Sequence, residues 1–329
     1  MKVGDDWELC FPELPNISCW KPPSNWAETL FINIVLYSIS ALTAVLNLFI
    51  IISVSHFRQL HTPTNILLLS LAVSDSLVGL LLMPAGALTG THCWLFGYFG
   101  CSLFRFVSDI ILSASVVNMV LISVDRYVAI CDPLHYTTRI TVKRVQFCVC
   151  FLWCCSVAYN SYFFLLHFNQ QIYFLPCYGD CVILRDTIGA VLDLVLNFFV
   201  PVTVIIVLYT RVFVVAVSQA RAMRSNIIAV TKQISVTKKA KKSELKAART
   251  LGVLVVVFLI CFTPSYFLTL VGNNSVSHSN GNFILYLYYF NSCLNPVIYA
   301  LFYPWFRKTV KLIVTLQILQ PCSCEANIL

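Results

Sequence analysis

The sequence predicts an all-α membrane protein: a seven-transmembrane helix bundle followed by a short amphipathic helix eight. Two observations carry that class. The chain is 59% hydrophobic and only 11% charged, with a mean hydropathy of +0.81, which is too little polar surface to cover a soluble globule of 329 residues. Its apolar residues also gather into seven runs, 30–54, 64–88, 99–124, 147–167, 188–210, 250–271 and 282–303, each near the roughly 20 residues a helix needs to cross hydrocarbon. The organisation that follows is an extracellular N-terminal segment over 1–29, the seven-span domain over 30–303, and a cytoplasmic helix eight and tail over 304–329.

The first 25 residues are mostly polar and lack an apolar core, so no cleavable signal peptide is visible and the first span is expected to direct its own insertion. Orientation comes from the basic residues. Of 22 Lys and Arg, Lys2, Lys21 and Arg185 fall before span one or after span four, Arg105 lies in span three, and the others flank the opposite side. That places the N-terminus outside and the loops after spans one, three and five inside. The last of these loops is strongly basic and holds one acid, Glu244. A topology signal and attraction to anionic lipid account for its charge; partner docking is compatible with it, whereas nucleic acid is excluded because the charge is strung beside membrane spans. On the outer side, Asn16-Ile17-Ser18 and Asn273-Asn274-Ser275 are glycosylation acceptors. Of 15 cysteines, Cys10, Cys19, Cys101, Cys177 and Cys181 map to the oxidising side. Cys322 and Cys324 inside are candidates for palmitoylation.

Polar residues within the spans narrow the class. Asn47 in span one, Asp75 in span two, Ser115 in span three and Asn291, Ser292 and Asn295 in span seven are each costly in lipid. They form either a mutually hydrogen-bonded structural cluster or a sodium site centred on Asp75. Asp125-Arg126-Tyr127 ends span three and Glu244 precedes span six, so an Arg126 to Glu244 ion pair would tie two helix ends that can separate. Asp193 stands in Ile188 to Tyr209 with no other group charged at neutral pH, and a charge at bilayer depth costs roughly 2.5–3.5 kcal/mol on insertion scales. From Tyr303 to about Leu316, Trp305, Phe306, Val310, Leu312 and Ile313 alternate with Arg307, Lys308 and Lys311, the pattern of an interfacial helix.

Asn47, Leu71-x-x-x-Asp75, Asp125-Arg126-Tyr127, Trp153, Pro201 with Tyr209, Phe258-x-x-Cys261-Phe262-x-Pro264 and Asn295-Pro296-x-x-Tyr299 together resemble the rhodopsin-like G-protein-coupled receptors over nearly the whole chain. Within that class, the run from Asn291 through Asn295-Pro296, Tyr299 and Tyr303-Pro304-Trp305-Phe306 resembles the signature of the trace amine-associated receptors, of the olfactory, fish-like type. The resemblance implies a Cys101–Cys181 disulfide and a bond from Cys177 to an N-terminal cysteine, Cys19 in preference to Cys10. It implies a small amine as ligand and helix shifts about Pro201, Pro264 and Pro296. It also implies a heterotrimeric G protein of stimulatory or olfactory type, a cAMP signal, and a plasma-membrane location in olfactory sensory neurons. Such a change is a population shift, with no covalent chemistry and no enzyme activity.

Departures from the family pattern are informative. The aspartate that most aminergic receptors use for the ligand ammonium lies eighteen residues before the Arg of Asp-Arg-Tyr, and here that position is Ser108. Asp109 is next to it, about 100° around the helix, and is expected to point toward spans four and five. Asp193, eight residues before Pro201, faces the pocket by resemblance and becomes the expected counter-ion, with Phe262, Tyr266 and Tyr289 adding cation–π or stacking contacts of roughly 0.5–2 kcal/mol each. Asp109 has two readings: an ion pair with Arg105 four residues earlier, or a second carboxylate selecting a diamine or polyamine. Phe262 also replaces the tryptophan usual in this class, and Tyr286 stands where many amine receptors have tryptophan. The competing reading among receptors is a non-amine ligand with Asp193 held structurally by Asn197 or water. A transporter would show repeated halves or broken helix pairs, and neither is present in the sequence.

Overall fold

The computed structural model describes residues 8–21, 26–91, 93–169, 177–181, 187–226, 252–267, 278–321, 323–326 and 328. Glu244, Asn273 and Cys322 lie outside them. The described chain folds as α1 (Trp26–His56), α2 (Pro63–Leu77, continued by a π turn, Val78–Leu82, and by Met83–Thr91), α3 (Gly97–Cys131) and α4 (Val142–Asn169). After these come α5 (Thr187–Leu194, a π turn over Val195–Phe199, then Val200–Asn226), α6 (Gly252–Phe267), α7 (His278–Phe302) and α8 (Pro304–Val314). A two-turn helix, Pro133–Arg139, links α3 to α4. By length and apolarity α1 to α5 are each able to cross a membrane, and α6 is a shorter apolar helix among the described residues; α7 packs against α1 and α2 in the same bundle.

Burial sorts the helices into a centre and a rim. The most apolar window of α2 is 67% buried, whereas that of α1 is only 22% buried at the same hydropathy of 2.3, and that of α4 is 17% buried. Phe31, Ile34 and Val35 on α1, Phe147 and Phe151 on α4 and Ile188 and Val191 on α5 present large apolar side chains outward, an exposure that suits a lipid solvent.

Local chemistry explains the irregular turns. Thr62 caps α2 by accepting from the Asn65 amide at 3.3 Å, and Pro63 starts the helix where a missing N–H costs nothing. In the π turn of α2 a Cβ on Gly79 would lie 2.9 Å from the Ala44 backbone nitrogen, so glycine is what lets α1 and α2 touch. Ser40 of α1 donates to the Gly79 carbonyl at 2.6 Å, satisfying an acceptor of the widened turn. The π turn of α5 ends two residues before Pro201, whose ring cannot donate to the carbonyl four residues back and forces the turn to widen. The α5 helix also runs to Asn226, well past the apolar run ending at 210, because helix geometry continues after the hydrocarbon ends.

Two features near the chain ends refine the sequence reading. Glu8–Leu9 and Trp20–Lys21 form a two-stranded antiparallel ribbon (β1 and β2) in the N-terminal segment, where polar composition gave no strand signal. Helix α8 covers Pro304–Val314 rather than Tyr303 to Leu316: Tyr303 is an extended N-cap and Leu316 sits at φ +57. Its Trp305, Phe306 and Thr309 are buried against the bundle.

Candidate ligand cavity and the polar groups beneath it

Three disulfides close the end of the bundle that carries the N-terminal segment. Cys101 at the start of α3 is bonded to Cys181, Cys19 to Cys177, and Cys10 to Cys93, with Cα separations of 5.5, 4.9 and 5.6 Å. Cys93 was not among the cysteines read from sequence as lying on the oxidising side. The signal was an odd count: five such cysteines leave one without a partner. Gly179 (φ +111) lies under the third bond, where a Cβ would sit 2.7 Å from the Cys10 Cβ, and its carbonyl accepts from the Trp94 amide at 2.8 Å. Cys19 N donates to Tyr178 O at 2.9 Å, and the Phe11 ring meets Tyr178 edge-on at 5.0 Å. Asn16 is exposed on this cap, while Ser18 of the same tripeptide is buried, its hydroxyl accepting from the Phe11 amide at 2.8 Å.

Inside the bundle is a cavity of about 140 Å³. Helix α3 contributes Arg105, Asp109, Leu112 and Ser113; α5 contributes Asp193 and Asn197; α6 contributes Ser265 and Tyr266; α7 contributes Leu285, Tyr288 and Tyr289. The α3 set is spaced i, i+4, i+7, i+8, one face of a helix. Asp109 therefore opens into the cavity shared with α5, α6 and α7; of the expected direction toward spans four and five, the α5 side agrees, while among the described residues α4 supplies no lining residue. Ser108 is fully buried and donates to the Phe104 carbonyl at 2.7 Å, so its hydroxyl serves its own helix and it does not line the cavity. Phe262 is likewise off the wall: it stacks on Phe258 and Tyr288, both at 4.2 Å between ring centres, beneath the cavity. Tyr266 stacks on Phe198 at 4.6 Å. Tyr288, absent from the sequence reading, joins Phe262 to the cavity wall; its neighbour Tyr289 was singled out, but adjacent residues lie about 100° apart and only a wide cavity reaches both.

The lining thus holds two carboxylates and one guanidinium. Arg105 Nη2 lies 3.4 Å from Asp109 Oδ1, an i, i+4 pair. Asp193 Oδ1 accepts from the neutral Asn197 side-chain amide at 2.7 Å. Both carboxylates thus line one cavity, Asp109 beside the Arg105 guanidinium and Asp193 beside the Asn197 amide.

Deeper in the bundle Asp75, fully buried, accepts from Ser292 Oγ at 2.8 Å and from Asn295 Nδ2 at 2.7 Å. Asn47 Nδ2 donates to the Ser292 carbonyl at 3.0 Å, linking α1 into the cluster. Among the described residues the side-chain oxygens of Asn47, Asn291 and Asn295 are buried without a hydrogen-bond partner, a set of acceptors that suits water or a small cation. Ser115 is buried on α3.

At the far end Arg126, only 13% exposed, is bonded to Asp125 and to Thr64 of α2. Asp125 also accepts from Tyr136 at 2.8 Å and from Thr64 at 2.9 Å. Burial pushes the Tyr136 phenol above its ordinary range and the Asp125 carboxylate adds to the shift, so it stays a donor. On the same linker the His135 ring holds the Asp132 carboxyl below the usual carboxylate range. Tyr127 packs against a small cluster of Ile130 and Val212. The hydroxyls of Tyr299 and Tyr303 are buried without a hydrogen-bond partner among the described residues. Pro296 lies within α7 between these tyrosines and the Asp75 cluster. Among the described residues Arg126 is thus tied to α2 and its own helix; the expected partner Glu244 lies outside them.

The family model described as 7 transmembrane receptor (rhodopsin family) matches residues 46–299. Over 98% of this chain and 97% of its own length, trace amine-associated receptor 13c of Danio rerio is 37% identical. The chain belongs to the trace amine-associated receptors. Trace amine-associated receptor 1 of Macaca mulatta (35% identical over 95% of this chain and 96% of its own) and trace amine-associated receptor 7e of Mus musculus (35%, over 98% and 92%) agree. The protein is therefore a multi-pass rhodopsin-like G-protein-coupled receptor and not an enzyme. In this receptor the acid on α5 and the acid on α3 share one cavity, while Ser108 stands outside it.

Proposed function

We propose that the receptor binds a small cationic amine whose ammonium pairs with Asp193, and that binding shifts the bundle toward a state that activates a stimulatory G protein and raises cAMP. The observation that carries the reading is the position of Asp193: its carboxylate, held by the Asn197 side-chain amide at 2.7 Å, lines the cavity whose wall also carries the rings of Tyr266, Tyr288 and Tyr289. The names of the relatives support an amine as the ligand class. A cavity of about 140 Å³ suits a compact amine, since it is below the roughly 300–1,000 Å³ of drug-sized sites. The rings of Tyr266, Tyr288 and Tyr289 then enclose the apolar body, each cation–π contact contributing about 0.5–2 kcal/mol. Tyr288 rests on Phe262, so a ligand that moves Tyr288 biases α6, which carries Pro264, and through it the Arg126 end.

The same reading places the receptor in the plasma membrane of olfactory neurons with its N-terminus outside, where the disulfides form and Asn16 is accessible to glycosylation. The Asp75 cluster holds a sodium ion in the resting state, with the Asp75 carboxylate as its charge and the unsatisfied asparagine oxygens as further ligands. A diamine is the second reading, favoured by Asp109 lining the same cavity; its second ammonium has to displace Arg105. A non-amine ligand is supported by the Asn197 bond, which gives Asp193 a structural partner. Cells expressing the receptor are assayed for cAMP against a panel of amines and their neutral isosteres. Responses confined to the cationic members support the proposal; equal responses to the isosteres refute it.

A further inference from the structure

Behind Tyr289 lies a second cavity, about 340 Å³, lined by Leu36 and Ile39 of α1, Met83 of α2, and Tyr286, Leu287 and Phe290 of α7, with the Tyr289 ring shared between this cavity and the one containing Asp193. Its volume falls within the roughly 300–1,000 Å³ typical of small-molecule sites. The surface it presents is almost wholly apolar, and the Tyr286 hydroxyl donates to the Gly86 carbonyl at 3.3 Å, so that phenol asks nothing of an occupant. Water needs two to four polar partners and does not settle on such walls, while an empty hydrocarbon void forfeits dispersion contacts. The occupant that fits is an uncharged hydrocarbon chain.

Location decides its source. Leu36 and Ile39 are half-buried on the flank of α1 whose neighbours Phe31, Ile34 and Val35 are exposed on the lipid-facing surface. The partition is fixed by close packing: a Cβ on Gly86 would lie 3.2 Å from Tyr289 Cε2, so glycine lets the Tyr289 ring lie against α2. The geometry points to a second ligand site between α1, α2 and α7 that takes the acyl chain of a bilayer lipid, with Tyr289 as the wall between that chain and the Asp193 cavity.

The test uses the full-length receptor in detergent micelles, titrated with phosphatidylcholine bearing a diazirine on its acyl chain, irradiated and mapped by peptide. Labelling at Leu287 and Phe290 is expected to saturate and to be displaced by unlabelled phosphatidylcholine. In Ile39→Trp, which fills the cavity, it is expected to fall about tenfold, while labelling around exposed Phe31 stays linear and unchanged. If Ile39→Trp is not recovered as a monodisperse protein, Leu36→Phe makes the same comparison. Label at Leu287 and Phe290 that never saturates, that is equal in the filled variant, or that comes only from a sterol probe overturns the proposal.

Discussion

Asn197 donates its side-chain amide to Asp193 Oδ1 over 2.7 Å, from inside the π turn that begins two residues after the carboxylate. The two residues are four apart, the spacing at which helix side chains meet, so the bond is made within α5 to the only acid on that helix. If that bond orients Asp193 for a ligand, Asn197→Leu lowers amine potency by roughly 1 kcal/mol, about fivefold, with surface expression intact. Loss of expression at unchanged potency would instead mark the bond as structural.

Arg105 and Asp109 give a second prediction. Removing the guanidinium in Arg105→Ala leaves two carboxylates in one cavity, a repulsion that a dication relieves. Across an alkyl series the variant is expected to gain potency for diamines relative to monoamines, measured as the ratio of half-maximal concentrations for each pair. A ratio identical to that of the parent receptor would show that Asp109 does not contact ligand.

The Cys10–Cys93 bond closes a smaller ring than its sequence separation of 83 suggests. With Cys19–Cys177 and Cys101–Cys181 formed, the path runs through the stretches Cys10 to Cys19, Cys177 to Cys181 and Cys93 to Cys101. That ring of 24 residues corresponds to roughly 3 kcal/mol in the chain-entropy account. Cys10→Ser with Cys93→Ser is thus expected to lower thermal stability of the purified receptor clearly while leaving it foldable. Gly179→Ala, which forces a Cβ against Cys10, is expected to lower surface expression on its own.

Sodium provides a fourth prediction. Replacing sodium chloride by an equal concentration of N-methylglucamine chloride is expected to raise agonist affinity in radioligand competition. Asp75→Asn removes the charge at the centre of the cluster and should abolish that difference. A sodium effect that survives in Asp75→Asn would place the ion elsewhere.

Much of the bundle is legible in the residues because a bilayer imposes one length and one polarity on every span. The cavity is less so. Asp193 stood out as an acid in an apolar run, since cost in lipid is a local property. The direction of Asp109 did not follow from rotation about α3 alone, because the cavity is centred over the face bearing Arg105, Asp109, Leu112 and Ser113 and not over Ser108. Both π turns escaped the sequence reading: one depends on the contact of Gly79 with α1 and the other on how Pro201 is accommodated within α5. Cys93 and Tyr288 were missed for a similar reason, each defined by a partner distant in sequence.

The most direct test of Asp193 as the ammonium partner is a cAMP concentration–response curve for the best amine agonist on Asp193→Asn and Asp193→Glu at matched surface expression. Asparagine keeps the volume and a hydrogen-bonding side chain but loses the charge, so potency should fall by about 2 kcal/mol or more, roughly thirtyfold, with partial retention in the glutamate variant. Unchanged amine potency in Asp193→Asn would contradict the account.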